Sequence, residues 1–123
     1  MEKSSNEISI MMKRNVVMIL KTFGGMIKHP VYGFIISQLF RSVSSAGANY
    51  EEACGAESKA DFVHKLHISY KELRETNYWL EILKMTGEAN KPGLLEIANT
   101  TESLQRIVGK SIVTAKKRMK NKE

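Results

Sequence analysis

Residues 44–58 read SSAGANYEEACGAES and residues 59–83 read KADFVHKLHISYKELRETNYWLEIL. In the second stretch Phe62, Leu66, Ser69, Leu73, Thr76, Leu80 and Leu83 recur at alternating steps of four and three, the seam of a helix packed along its length against other helices. In the first stretch Gly55 has the place of a helix C-terminal cap, and Ser58 with Asp61 three residues later has the spacing that opens the next helix. The segment CGAES is therefore punctuation between a helix ending near Cys54 and one spanning about 59–86.

The same reading extends in both directions. The helix before the break follows Pro30, a residue suited to a first turn. It spans about 31–54, with Tyr32, Ile35, Ile36, Leu39, Val43, Ala46, Tyr50 and Ala53 on one face. Its small residues Ser45, Ala46, Gly47 and Ala48 allow a close approach to a neighbour, although Gly47 weakens the helix by up to about 1 kcal/mol. Further back, Ser4 and Glu7 are spaced as a capping box for a helix over about 7–23, ended by Gly24 and Gly25, with Ile8, Met12, Val16, Ile19, Leu20 and Phe23 inward. Beyond the breaker cluster Gly87 to Gly93, where Asn90 is placed to cap and Pro92 suits a first turn, a fourth helix runs over about 93–120. Leu94, Ile97, Ala98, Thr101, Leu104, Val108, Ile112 and Ala115 form its inward stripe. Four amphipathic helices on short connections predict an all-α chain, one domain over 1–123, folded as an antiparallel up-down-up-down four-helix bundle.

Composition agrees with a soluble globular chain: 42% hydrophobic, 26% charged, two prolines. The single Cys54 cannot form an internal disulfide, which suits a reducing compartment. No apolar run approaches the roughly 18 residues that span a membrane, and Glu2, Glu7, Lys13 and Arg14 break any signal-peptide pattern. The expectation is a cytoplasmic protein with no membrane partner. Residues 116–123 carry a net +4 of the chain's +6. Lys116, Lys117, Arg118, Lys120 and Lys122, assisted by Lys13, Arg14 and Lys21, are the candidate contacts to a nucleic-acid backbone, RNA ahead of DNA. The alternative is a solubilising helix end whose cations complement the helix dipole.

On the third helix a second apolar row, Ile68, Trp79 and Ile82 with Tyr78 beside it, lies off the seam. It predicts an oligomer interface between copies of the chain, the alternative being a splayed bundle that buries this helix on two sides within one subunit. Asn49 and Glu52 sit near the edge of an apolar face and need water or a partner; Arg74 is one candidate. Asp61–Lys65 and Lys71–Glu75 have the spacing of exposed ion pairs.

No catalytic constellation emerges. Val108-Gly109-Lys110-Ser111 imitates the end of a phosphate-binding loop, but the earlier glycine position holds Leu104 and the segment lies inside a helix. Asp61, His64 and His67 lack the second motif and inward carboxylates that a di-iron bundle uses. Cys54 has no local base and reads as a small, semi-buried residue. Adjacent Glu51 and Glu52 point about 100° apart and cannot face each other as an acid/base pair. The sequence therefore predicts neither enzyme, metal nor cofactor.

SSAGANYEEACGAESKADFVHKL followed by YKELRETNYWLEILK resembles the bacterial four-helix-bundle family encoded in intervening sequences of 23S rRNA genes. The matching positions are Gly47, Ala48, Asn49, Tyr50, Glu52, Arg74, Glu75, Tyr78 and Trp79. The resemblance implies a homopentameric barrel in which these residues are structural or lie at interfaces. It also implies likeness to the pentameric accessory protein of diversity-generating retroelements, which binds a reverse transcriptase and nucleic acid, making a reverse transcriptase a candidate partner. The combined reading is a non-enzymatic homo-oligomer that binds nucleic acid electrostatically; the alternative is a protein-binding scaffold or accessory subunit with no nucleic-acid role.

Overall fold

Ser4 opens the first helix through a reciprocal cap: its Oγ accepts from the Glu7 N–H at 3.1 Å, and Glu7 Oε1 accepts from the Ser4 N–H at 3.3 Å. The computed structural model describes residues 2–87 and 91–121. Helix α1 spans Ser5–Phe23 and runs into a 3-10 turn over Gly24–Met26; α2 spans Gly33–Cys54, α3 Lys59–Met85 and α4 Leu94–Asn121. Asn90, the expected cap of α4, and Lys122 lie outside the described residues.

Helix α2 begins two residues later than its sequence suggests. His29 Nδ1 accepts from the N–H groups of Val31 and Tyr32 at 3.0 and 3.1 Å, which holds the segment after Pro30 as a turn. A Cβ on residue 33 would stand 2.6 Å from the Ile27 carbonyl oxygen, so only Gly33 allows the helix to start there. Gly55 ends α2 by donating to the carbonyls of Glu51 and Glu52, and Ser58 Oγ caps α3 by accepting from the Asp61 N–H at 3.1 Å. Gly93 leads into α4 with φ +93°, and a Cβ there would lie 2.9 Å from Thr22 Oγ1. The glycine lets the start of α4 sit on the end of α1.

The most extensive pairing joins α2 to α3, followed by α3 to α4; α1 completes the bundle against α2 and α4, diagonal to α3. The small residues explain these approaches. Ala46 is fully buried and its carbonyl accepts from Ser69 Oγ of α3 at 2.8 Å, while a Cβ at Gly47 would touch Met12 of α1 at 3.4 Å.

Two apolar clusters fill the bundle. One contains Ile8, Met12, Tyr50, Leu66, Leu73, Leu104, Val108 and Ile112; the other contains Ile19, Phe23, Ile36, Leu39, Leu80, Leu83, Leu94 and Ile97. Between them lies a buried polar layer with one residue from each helix: Asn15, Ser42, Thr76 and Thr101. Asn15 Nδ2 donates to Thr101 Oγ1 at 2.9 Å, and the Ser42 and Thr76 hydroxyls meet at 2.9 Å. Satisfied pairs of this kind hold neighbouring helices in one register, because sliding either helix would leave buried polar groups unbonded.

The inward face of α1 differs from expectation. Asn15 is buried, Val16 is half-buried and Leu20 is 57% exposed. Ile8, Met12, Ile19 and Phe23 set the inward direction, and Leu20 stands about 100° from Ile19. At the start of α3 Val63 takes the buried position and Phe62 remains half-buried, at the bundle's edge.

Candidate functional site

Helix α4 continues for more than two turns past Ile112, its last buried residue, and that extension carries exposed Lys116, Lys117, Arg118 and Lys120. Lys116 and Lys120 share a face at four-residue spacing, whereas Lys117 and Arg118 point roughly 100° and 200° around the axis. Glu2, just before α1, reaches Lys110 at 2.9 Å. That hydrogen-bonded ion pair, with Arg118 adding its charge, holds the Glu2 carboxyl below the usual carboxylate range. Lys3 and Lys110 thus join the basic end, although the sequence reading missed both. Lys110, Thr114 and Arg118 stand at successive steps of four, the signal that would have revealed Lys110, whereas Lys3 reaches the same cleft only because the start of α1 meets the end of α4. Lys110 and Ser111 lie in the interior of α4, not on a phosphate-binding turn.

The three cations proposed on α1 do not join this cluster as a group. Lys13 Nζ is 3.6 Å from Glu51 Oε1, which also accepts a hydrogen bond from Ser9. Lys21 lies near the opposite end of the bundle, where α4 begins, and the α4 backbone from Leu94 to Lys116 spans about 33 Å. Arg14 and Lys21 are exposed on a face that also presents Ile10 and Val17. Grooves of about 510 Å³ toward α4 and about 370 Å³ toward α2 flank this helix, both reaching Lys13 and Val17.

The second row of α3 is less exposed than expected. Ile68, Trp79 and Ile82 are half-buried, because the row faces α2. Lys65 pairs with Glu52 at 3.6 Å, Glu75 with Arg41 at 3.8 Å, and the Trp79 ring meets Phe34 edge-on with centroids 6.0 Å apart. Tyr78, 58% exposed, also meets the Trp79 ring edge-on with centroids 5.0 Å apart, and Phe34 is 66% exposed. The surface that remains accessible is the Phe34 and Tyr78 edge. The Trp79 Nε1–H is buried and has no acceptor among the described residues.

The polar residues near the α2 break also choose other partners. Asn49 Nδ2 donates to the Ser45 carbonyl and hydroxyl within its own helix, at 2.9 and 3.2 Å. Glu52 pairs with Lys65 and not with Arg74, which is exposed. The expected Asp61–Lys65 and Lys71–Glu75 pairs are replaced by pairs between α2 and α3, since the facing helix brings opposite charges within reach. Cys54 is exposed, not semi-buried, whereas Tyr50 is buried. Burial first, then the Cys54 thiol beside it and Glu51, push the Tyr50 phenol well above its ordinary pKa. Asp61, His64 and His67 are all exposed. Among the described residues no group of three or more His, Cys, Asp or Glu side chains is placed to hold a metal.

The model of the 23S rRNA-intervening sequence proteins matches residues 6–110. The chain belongs to this family. A crystal structure of a protein of unknown function from the S23 ribosomal protein family of Bacteroides thetaiotaomicron VPI-5482 is 30% identical. It covers 88% of this chain and 96% of its own, with a TM-score of 0.79. No curated protein matches the sequence. In this member of the intervening-sequence family the matched region takes in all of α1, α2 and α3 except the first residue of α1, and stops at Lys110; Lys116, Lys117, Arg118 and Lys120 lie beyond it. No described helix is long and apolar enough to cross a membrane.

Proposed function

We propose that this chain is a non-enzymatic homo-oligomer, pentameric as the family resemblance implies, that binds nucleic acid, RNA ahead of DNA, by charge. The observation that carries the reading is the cationic extension of α4, which stays helical past the core with Lys116, Lys117, Arg118 and Lys120 exposed. A ring would set several such extensions side by side, and linked weak sites gain avidity without new contacts. Two unlike exposed apolar surfaces support association: Phe34 with Tyr78 at the α2–α3 edge, and Ile10, Val17 and Leu20 on α1. Unlike patches meet head to tail, the arrangement that closes rings.

Replacing Lys116, Lys117, Arg118 and Lys120 together by Gln is expected to weaken binding to single-stranded RNA about a hundredfold near physiological salt. The slope of log K against log salt should fall by about 3. Affinity that ignores ionic strength, or that survives the replacement, removes the tail from the mechanism. Light scattering is expected to give five times the 13.9 kDa protomer mass. Tyr78→Glu, at an exposed position, should dissociate the assembly without lowering helicity; a full-size assembly of that variant would move the contact elsewhere. The competing reading, a protein-binding scaffold, draws on the apolar surface interleaved with Arg14 and Lys21 on α1. Partner capture that is unaffected by nuclease or by the tail replacement would favour it.

A further inference from the structure

We infer that the cleft where the start of α1 meets the end of α4 holds one unstacked nucleotide of a single strand, its base on Phe62 and its phosphate on Lys110 and Arg118. The inference rests on the nucleic-acid reading above and adds a site that shares only Arg118 with the exposed tail.

The cleft measures about 460 Å³, within the range of about 300–1,000 Å³ typical of small-molecule sites. Its wall is divided by chemistry. Phe62, Ile8 and Ile107 supply an apolar floor, and Lys3, Lys110 and Arg118 supply cations on the rim. Phe62 is the aromatic ring in that floor, and the register of α3 leaves it half-buried while Val63 takes the core position. A partly exposed ring bordered by cations is the combination that single-strand binders use, with a base stacked on the ring and the backbone tracked by charge. Thr114, also in the wall, can exchange hydrogen bonds with a base edge or a sugar hydroxyl.

An anion already occupies the cationic rim. The Glu2 carboxylate lies 2.9 Å from Lys110 Nζ, with a side chain 80% exposed. An exposed ion pair of this kind is weak, so a backbone phosphodiester, with the same single charge but held by Lys110 and Arg118 together, competes with it. Glu2 is then an intramolecular placeholder that lowers affinity until nucleic acid arrives. The cleft also differs from the tail in what it selects: Lys116, Lys117 and Lys120 attract any polyanion, whereas Phe62 adds energy only where a base is present and free to leave its stack.

The test compares full-length protein binding to fluorescein-labelled decauridylate, to an abasic strand with the same phosphate count, and to an RNA duplex of the same length. The base-bearing strand should bind about tenfold more tightly than the abasic strand, and the duplex should resemble the abasic strand once matched for charge. Phe62→Leu, which keeps an apolar floor, should erase the preference for bases while thermal unfolding stays cooperative. Lys110→Glu should weaken binding to both strands at least about tenfold, and Glu2→Gln should strengthen both about threefold. If the wild type binds both strands equally, or Phe62→Leu keeps the preference, while the tail replacement still abolishes binding, this inference falls and the proposed function stands. If the wild type binds no strand, both fall. Competition by a glutamate decapeptide as effective as by decauridylate overturns the site in favour of an acidic protein segment.

Discussion

Phe23→Ala is expected to destabilise the bundle by about 3–5 kcal/mol, at the upper end of what one truncation in a core of this size produces. Phe23 is fully buried at the last position of α1, in the cluster that also holds Leu83, Leu94 and Ile97. Collapse around the missing ring is obstructed on two sides. The chain turns immediately into the 3-10 segment Gly24–Met26, and the entry to α4 is pinned to the same end of α1 by the close contact between Gly93 and Thr22. Lys91 Nζ also lies 5.7 Å from the ring centroid, so the aromatic face is covered by a cation. Urea unfolding followed by circular dichroism measures the effect, with Phe23→Leu retaining more than half of the lost stability. A loss below about 1 kcal/mol would mean that the end of the bundle relaxes freely.

Thr101→Val is expected to cost about 1–3 kcal/mol although it removes little volume. Thr101 Oγ1 accepts from Asn15 Nδ2 at 2.9 Å and donates to the Ile97 carbonyl at 2.8 Å. Valine leaves the Asn15 amide, which is 2% exposed, without its acceptor. The double variant Asn15→Leu with Thr101→Val removes both polar groups and should recover most of the loss, because two apolar side chains of similar shape leave nothing unpaired. A double-mutant cycle isolates that coupling. A double variant as unstable as the single one would show that the Asn15 site tolerates no apolar side chain of that size.

The elements were legible because their signals are local. The Ser4 and Glu7 cap, the glycine at 55 and the seven-residue recurrence from Leu66 to Leu83 each act within a few residues, and the structure follows them to within one or two positions. Orientation was less legible. Val16 and Leu20 read as inward by hydrophobicity, yet Asn15 occupies the core because Thr101 of α4 offers it a buried hydrogen bond. The start of α2 was misplaced for a similar reason, since the His29 side chain and the Ile27 carbonyl define it.

The candidate site divides the same way. The basic end of α4 was visible as a run of charges, whereas Lys3 and Phe62 join it only because α1, α3 and α4 meet at one end of the bundle. The α3 row containing Trp79 was visible as apolar, but its distance from α2 was not, and that distance decides how much of it remains accessible. The amino-acid sequence by itself determined the number of helices, their ends to within one or two residues and most of the stripe that α2, α3 and α4 bury, because caps, glycines and 3.6-residue periodicity operate along the chain. Only the tertiary structure decided the partners of Glu51, Glu52 and Glu75, the burial of Asn15 and the closing of the cleft at Phe62. Those depend on the offset between facing helices, which contacts across the bundle establish.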